Sequence, residues 1–157
     1  MPENEQRIGL ISDTHGMLRP EAIEALRGSS LIIHAGDIGA PEVLDALRSI
    51  APVTAVRGNV DTDAWCRKLP ATELVTSGEL SLFVLHNIAD LDIVPSAAGA
   101  GAVIYGHSHT PLIRSEQGVL FINPGSAGPK RFRLPVTVAR LLVSGSRLAA
   151  SIITLEK

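Results

Sequence analysis

Cysteine is almost absent from this sequence: Cys66 stands alone among 157 residues. No disulfide can form within the chain, which fits a reducing compartment, and Cys66 reads as a small core residue. Aromatic residues are nearly as scarce at 3%, so the 45% apolar content falls to Leu, Ile, Val and Ala. No apolar run approaches the ~20 residues of a membrane-spanning helix. The polar, acidic start Met1-Pro2-Glu3-Asn4-Glu5-Gln6 has neither the basic residues nor the apolar stretch of a signal peptide. The expectation is a cytoplasmic protein with no membrane association. Charge of one sign is lacking too, with 14 basic residues against 16 acidic ones. A net charge of −2 creates no general field for nucleic acid, so an anionic substrate would have to be held locally. The length suits one core, read as a single domain over 1–157, and falls short of the about 250 residues of a (β/α)8 barrel.

What the sequence does contain is one pattern written five times. Ile8-Gly9-Leu10-Ile11 runs into Ser12-Asp13-Thr14-His15, and Leu31-Ile32-Ile33-His34-Ala35-Gly36 into Asp37. Val53-Thr54-Ala55-Val56-Arg57-Gly58 ends at Asn59, Leu82-Phe83-Val84-Leu85 at His86, and Ala102-Val103-Ile104-Tyr105-Gly106 at His107, with His109 just beyond. Each apolar run reads as a buried strand with polar side chains at its carboxyl end. Ligands of open α/β sheets bind outside those ends. The intervals between Asp13, Asp37, Asn59, His86 and His107 are 21 to 27 residues, enough for a strand, a crossover and a returning strand. A metal centre is the economical reading of these seven nitrogen and oxygen donors.

The intervening segments fill in an architecture. Proline and acid at the start, apolar residues at helical spacing and a terminal Arg27-Gly28 predict a helix over 20–27. A second helix is predicted over 40–50, with Val43, Leu44, Leu47 and Ile50 on one stripe and Pro52 behind it. This βαβαβ start favours a parallel sheet to about residue 58. Beyond it, three hairpins are predicted, around Ser77-Gly78, Glu116-Gln117-Gly118 and Ser144-Gly145-Ser146, with a short helix over 91–98. A parallel first half and a mostly antiparallel second half suggest two sheets face to face with helices outside, an α/β sandwich.

Taken singly, most of these signals are weak. An aspartate or asparagine after a strand is ordinarily a turn former or helix cap, as Asp61 and Asp63 are read here. The imidazoles of Gly106-His107-Ser108-His109 are less common, and the joint pattern is what argues for chemistry. His34, inside a strand and three residues from Asp37, is read as buried support rather than a ligand. Lys130, Arg131 and Arg133 either form a solvated loop or meet a phosphate beside the cleft.

The ordered set Asp13-x-His15, Gly36-Asp37, Gly58-Asn59, His86 and Gly106-His107-x-His109 resembles the calcineurin-like metallophosphoesterase superfamily. Asn123-Pro124-Gly125-Ser126 is similar to a signature of its small stand-alone branch, which includes prokaryotic phosphodiesterases and a eukaryotic trafficking scaffold. The resemblance implies a four-layer αββα sandwich with two divalent metal ions per chain. Asp13, His15, Asp37 and His109 would hold one ion, and Asp37, Asn59, His86 and His107 the other, with Asp37 shared. The donor set suits Mn²⁺ first, then Zn²⁺, Fe²⁺ or Ni²⁺. Asp37, Asn59 and His107 are the catalytic candidates. The implied reaction is hydrolysis of a small, nucleotide-like phosphodiester, or of a monoester, by in-line attack of a metal-bridging hydroxide. A catalytically impaired scaffold is the alternative; relatives form small homo-oligomers, which leaves the oligomeric state of this chain open. Two departures stand out. Val60 occupies the place where many relatives carry a histidine able to protonate the leaving group, and His86-Asn87-Ile88 replaces their His-Gly-His.

Overall fold

Two five-stranded sheets lie face to face in the computed structural model, which describes residues 5–157. In chain order the elements are β1 (Glu5–Ile11), α1 (Pro20–Leu26), β2 (Leu31–His34), α2 (Pro41–Arg48) and β3 (Val53–Ala55), followed by a 3₁₀ turn at Ala64–Lys68. Then come β4 (Thr72–Ser77), β5 (Leu80–Leu85), a 3₁₀ turn at Ile88–Asp90, β6 (Ala100–Ile104), β7 (Leu112–Glu116), β8 (Val119–Asn123), β9 (Val136–Ser144) and β10 (Arg147–Glu156). One sheet runs β10-β9-β1-β2-β3, the other β4-β5-β6-β8-β7.

Each sheet has three neighbouring parallel strands, β1-β2-β3 in the first and β5-β6-β8 in the second. Antiparallel strands flank them: β9 and β10 beside β1, β4 beside β5, and β7 beside β8. The second half is therefore less antiparallel than the hairpin signals predict. All three hairpins form, but β8 leaves its turn to pair in parallel with β6, and the final hairpin crosses back to the first sheet. The physical reason lies in burial. Val103, Phe121 and Val119 on the outer face and Ala102, Ile104 and Ile122 on the inner face are all covered, the signature of central parallel strands.

Strand alternation divides the apolar residues into layers. Ile8, Leu10 and Ile33 meet Leu82, Val84, Ala102, Ile104 and Ile122 between the sheets. Ile11 and Ile32 turn the other way, against Ala22 and Leu26 of α1 and Val43, Leu44 and Leu47 of α2. Helix α1 can approach β1 because Gly9 has no side chain; a Cβ there would lie 2.6 Å from Leu26 Cδ2. The outer layer over the second sheet is thinner. The helix expected over 91–98 does not form; the Ile88–Asp90 turn and an irregular stretch, with Ile88 and Leu91 packed against Tyr105, Val119 and Phe121, cover that face. Pro95 interrupts the stretch, having no N–H to donate to Leu91 O, and Val94 beside it is 61% exposed.

Buried polar side chains then lock the loops at the carboxyl edge. The Asp61 carboxylate accepts hydrogen bonds from the backbone N–H groups of Ile38, Gly39 and Gly58, joining the β2 and β3 loops. His34 accepts from Gly36 N–H at Nδ1, so its Nε2–H donates to Thr14 Oγ1 (3.0 Å), and Thr14 in turn donates to Ile38 O (2.8 Å). Complete burial holds His34 neutral, its pKa pushed down to about 3. In the second sheet Asn123 donates to Gly106 O and Ser108 Oγ, and Ser126 Oγ donates to Asp13 O across the two sheets.

Replacing Asp61 by Ala strips the acceptor from three backbone donors, and urea unfolding is expected to show a loss of about 3 kcal/mol; a loss under ~0.5 kcal/mol would make Asp61 an ordinary turn residue. His34 carries a pH dependence of definite sign. The unfolded chain takes up a proton near pH 6.5 that the folded chain refuses until about 3, so this residue's contribution to stability falls as the pH drops through that window. A ¹⁵N NMR titration is expected to show the Nε2–H tautomer unchanged from pH 8 to pH 5; protonation of His34 within that range would contradict the network.

Candidate metal centre

The parallel strands of both sheets deliver their carboxyl ends to one edge, and six of the seven sequence-predicted donors converge there. Donor atoms of Asp13, His15 and His109 lie within 4.8 Å of one another, as do those of Asp13, Asp37 and His86. The two groups share Asp13, whose Oδ1 faces His109 Nε2 at 3.3 Å, His86 Nε2 at 3.8 Å and His15 Nε2 at 3.9 Å. Asp37 Oδ2 lies between the groups as well, 3.2 Å from His86 Nε2 and 3.7 Å from His15 Nε2.

Each donor is held from behind. Asp13 Oδ2 accepts from Ser12 Oγ (2.7 Å) and from His107 N–H (3.1 Å), which leaves Oδ1 free to face the histidines. Asp37 Oδ1 accepts from Val60 N–H (3.1 Å). His86 Nδ1–H donates to Ala35 O (2.8 Å), so the Nε2 lone pair points into the cluster. Gly58 and Gly106 give the close approach this needs, because a side chain at either would strike the Asp37 or Asp13 carboxylate. The backbone bears a cost too. Asp13, His15, Asp37, His107 and His109 all have positive φ, between 47° and 72°. That left-handed conformation costs a non-glycine residue roughly 1–2 kcal/mol, and such strain concentrates where a function requires it.

The cluster is chemically incomplete without a cation. Asp13 Oδ1 and His15 Nε2 are buried and have no hydrogen-bond partner. The Asn59 amide lies 3.1 Å from His86 Nε2 and 3.2 and 3.3 Å from the Asp37 oxygens, placed for its NH₂ group to donate to them. Lone pairs of a carboxylate and an imidazole brought together without a donor between them repel unless positive charge lies there. The titration directions carry the same message. Burial raises the Asp13 pKa despite the Ser12 hydrogen bond. Burial also pushes the Asp37 carboxyl up, but the adjacent His86 ring and Val60 N–H override it, leaving the pKa below the usual range. For His86 burial favours the neutral ring, and its contacts with Asp37 and Asp13 outweigh it, so its pKa rises. His109 moves down, through burial and the nearby charge of Arg131. All-nitrogen-and-oxygen donors of this kind fit a first-row divalent ion.

The seventh candidate sits apart. His107 is exposed, outside both tight groups, with its ring edge to face with His86 at 5.3 Å between centroids. Val60 is 47% exposed at the rim. A cleft of about 260 Å³ opens beside Asn59 and His86, bounded by Arg57, Thr72, Asn87 and Asp90. Asp61, expected to be a turn residue, and Ser12 and Thr14 prove to be supports of the site. A polar residue near a strand end is ordinary in surface turns, so the sequence carries no signal of that role.

Comparison with known proteins agrees with this geometry. The model of the calcineurin-like phosphoesterase superfamily domain matches residues 7–146. A protein of Methanothermobacter thermautotrophicus named "Probable metallophosphoesterase" is 35% identical over 158 aligned positions, covering 93% of this chain and 91% of the relative. A solved archaeal phosphodiesterase superposes with a TM-score of 0.78 at 25% identity, over 94% of this chain and 99% of its own. Vacuolar Protein Sorting 29 of Cryptosporidium parvum shares the fold, with a TM-score of 0.78 at 17% identity over 99% and 100% of the two chains. With a family model covering nearly its whole length and the ordered Asp, Asn and His residues of both sheets gathered at one edge, the chain belongs to the calcineurin-like phosphoesterase superfamily.

Proposed function

We propose that the chain is a binuclear metal-dependent phosphoesterase acting on phosphodiesters. The observation that carries this reading is the pair of buried, unpartnered donors, Asp13 Oδ1 and His15 Nε2, inside a cluster of carboxylates and imidazoles. Asp13, His15, Asp37 and His109 would hold one cation, and Asp37, Asn59, His86 and His107 the other. Asp37 suits the shared place because its Oδ2 faces a histidine of each set. Manganese is the first ion to test, with zinc, iron and nickel behind it. When bound, two such ions supply the positive charge that acidifies a water molecule and stabilises the transferring phosphoryl group.

The chain's own residues set the conditions for that chemistry. Asp13 and Asp37 bring the anionic charge that lets two cations sit close together. Ala35 O fixes the His86 tautomer with the acceptor nitrogen inward. Asn59, on the exposed side of the cluster, turns its amide toward the shared space. No proton donor occupies the rim at Val60, whose side chain is aliphatic and half exposed. Turnover therefore favours leaving groups that depart without protonation.

Metal analysis of the purified protein is expected to find about two Mn²⁺ per chain after loading, with hydrolysis of bis(4-nitrophenyl) phosphate. Asp37→Ala should lower kcat/KM on the order of 10³-fold and reduce the metal content. A chain that binds no divalent cation and hydrolyses no ester would instead be a binding module. Because the ions compete with a proton on His86, whose pKa is raised, metal affinity should weaken as the pH falls below neutral and proton release should accompany binding; affinity independent of pH between 5.5 and 8 would contradict this. Val60→His should raise turnover of alkyl esters about ten-fold more than that of nitrophenyl esters. Equal change in both would remove the missing-acid argument.

A further inference from the structure

β10 forms the free edge of the first sheet, and at ten residues it is the longest strand among the described residues. Its stretch Leu148-Ala149-Ala150-Ser151-Ile152-Ile153-Thr154-Leu155 contains no charge, proline or glycine. Edge strands are ordinarily blunted by shortness or by charge, because their unpaired N–H and C=O groups are a template for another strand. The other three edges follow that rule: β3 has three residues, β4 carries Glu73, and β7 carries Arg114 and Glu116. β10 does not. Its apolar side chains are only partly covered on either face, Leu148, Ala150 and Ile152 toward the inter-sheet core and Ile153 and Leu155 toward the layer of α1.

The turn between β9 and β10 fixes which backbone groups face outward. Gly145 and Ser146 form a two-residue loop, with Gly145 at φ of 62°, so Ser144 and Arg147 close the hairpin as a hydrogen-bonded pair. By alternation Arg147, Ala149, Ser151 and Ile153 direct their backbone groups to β9, whereas Leu148, Ala150, Ile152 and Thr154 turn theirs to the open side. A second β10, antiparallel about a two-fold axis, can be bonded only through those outward positions, which restricts the register to a few alternatives. Charge selects among them. With the axis at Ser151, Ala150 faces the partner's Ile152, Leu148 faces the partner's Thr154, and Arg147 lies opposite the partner's Leu155, beside the partner's Glu156. An axis at Ala150 would separate Arg147 from that glutamate, and an axis at Ile152 would set it against the partner's Lys157.

We propose that two copies of the chain pair through β10 as a two-fold symmetric dimer, joining their first sheets into one continuous sheet with Ser151 on the axis. The edge is self-complementary, as such an interface requires. Arg147 is exposed at one end of the strand, and Glu156 is held at the other by Arg19 at 2.9 Å, so each copy offers both halves of two identical ion pairs. Pairing also covers the flanks of Ile152 and Ile153 that the monomer leaves open. Glu156 lies at the metal-centre end of the first sheet and Arg147 at the far end. The two centres therefore open at opposite ends of the joined sheet, and the interface stands apart from the phosphoesterase reading.

Light scattering on the full chain as it elutes from a sizing column, over a dilution series, is expected to give about twice the chain mass of 16.6 kDa. Ser151→Lys, at an exposed position, sets two like charges face to face on the axis and should return the mass to that of one chain, while circular dichroism shows the fold intact. Ser151→Cys tests the register. Opposed residues of a non-hydrogen-bonded pair have Cα atoms about 4.5 Å apart, within disulfide reach, so mild oxidation should cross-link this variant. Ala149→Cys, opposite the partner's Ile153, should stay uncross-linked, and the buried Cys66 does not compete. A single-chain mass at every concentration, a dimer that survives Ser151→Lys, or cross-linking of Ala149→Cys as readily as Ser151→Cys would each overturn the assignment. Failure of the catalytic reading looks different: a dimer that cross-links through Ser151→Cys yet hydrolyses no ester keeps the interface and removes the enzyme.

Discussion

The structure depends on one electrostatic problem, two buried carboxylates brought within a few ångströms of each other and of the histidines around them. Asp13 is fully buried and Asp37 nearly so. Neither is neutralised by a lysine or arginine; among the described residues the cations that pair with acids lie elsewhere, as Arg19 with Glu156 does. Burial on this scale is tolerated only where compensating positive charge is supplied. Five backbone positions in the left-handed region and two glycines with no room for a side chain show how much local stability the chain gives up to keep the donors together.

Two sheets are needed because no single one places enough donors at a point. β1, β2 and β3 end at Asp13, Asp37 and Asn59; β5 and β6 end at His86 and at His107 with His109. The inter-sheet core of Ile8, Leu10, Ile33, Val84, Ile104 and Ile122 therefore does more than bury surface. It sets the spacing between the carboxylates of one sheet and the imidazoles of the other. Ser126 and Asn123 stiffen that junction from the second sheet, Asp61 and His34 from the first. The division of labour is chemical: the first sheet brings the anionic and amide donors with His15, the second only imidazoles.

Much of this was legible in the sequence because strand ends advertise themselves. Five apolar runs each broken by Asp, Asn or His at similar intervals required a common edge, and both the helices and the three hairpins carried their own turn chemistry. Pairing partners were harder to read. That β8 would lie parallel to β6, and the last hairpin join β1, depends on burial of both faces of a strand, and Val119-Leu120-Phe121-Ile122 looks the same in either arrangement. Over 91–98 Leu91, Val94 and Ala98 keep helical spacing, but Pro95 among them removes a backbone donor, and the expectation of a helix there failed for that reason. At the site the ligand types could be read, whereas their supports could not. Asp61 takes three backbone N–H groups from two loops, a role set wholly by tertiary geometry.

The central claim is that Asp37 is shared by two cations held close together. Electron paramagnetic resonance of the protein titrated with Mn²⁺ tests it most directly, because two manganese ions bridged by a carboxylate are spin-coupled. The account predicts a multiline exchange-coupled signal that grows in as the second equivalent binds and disappears in Asp37→Ala. Only the six-line signal of isolated Mn²⁺ at every loading would contradict it.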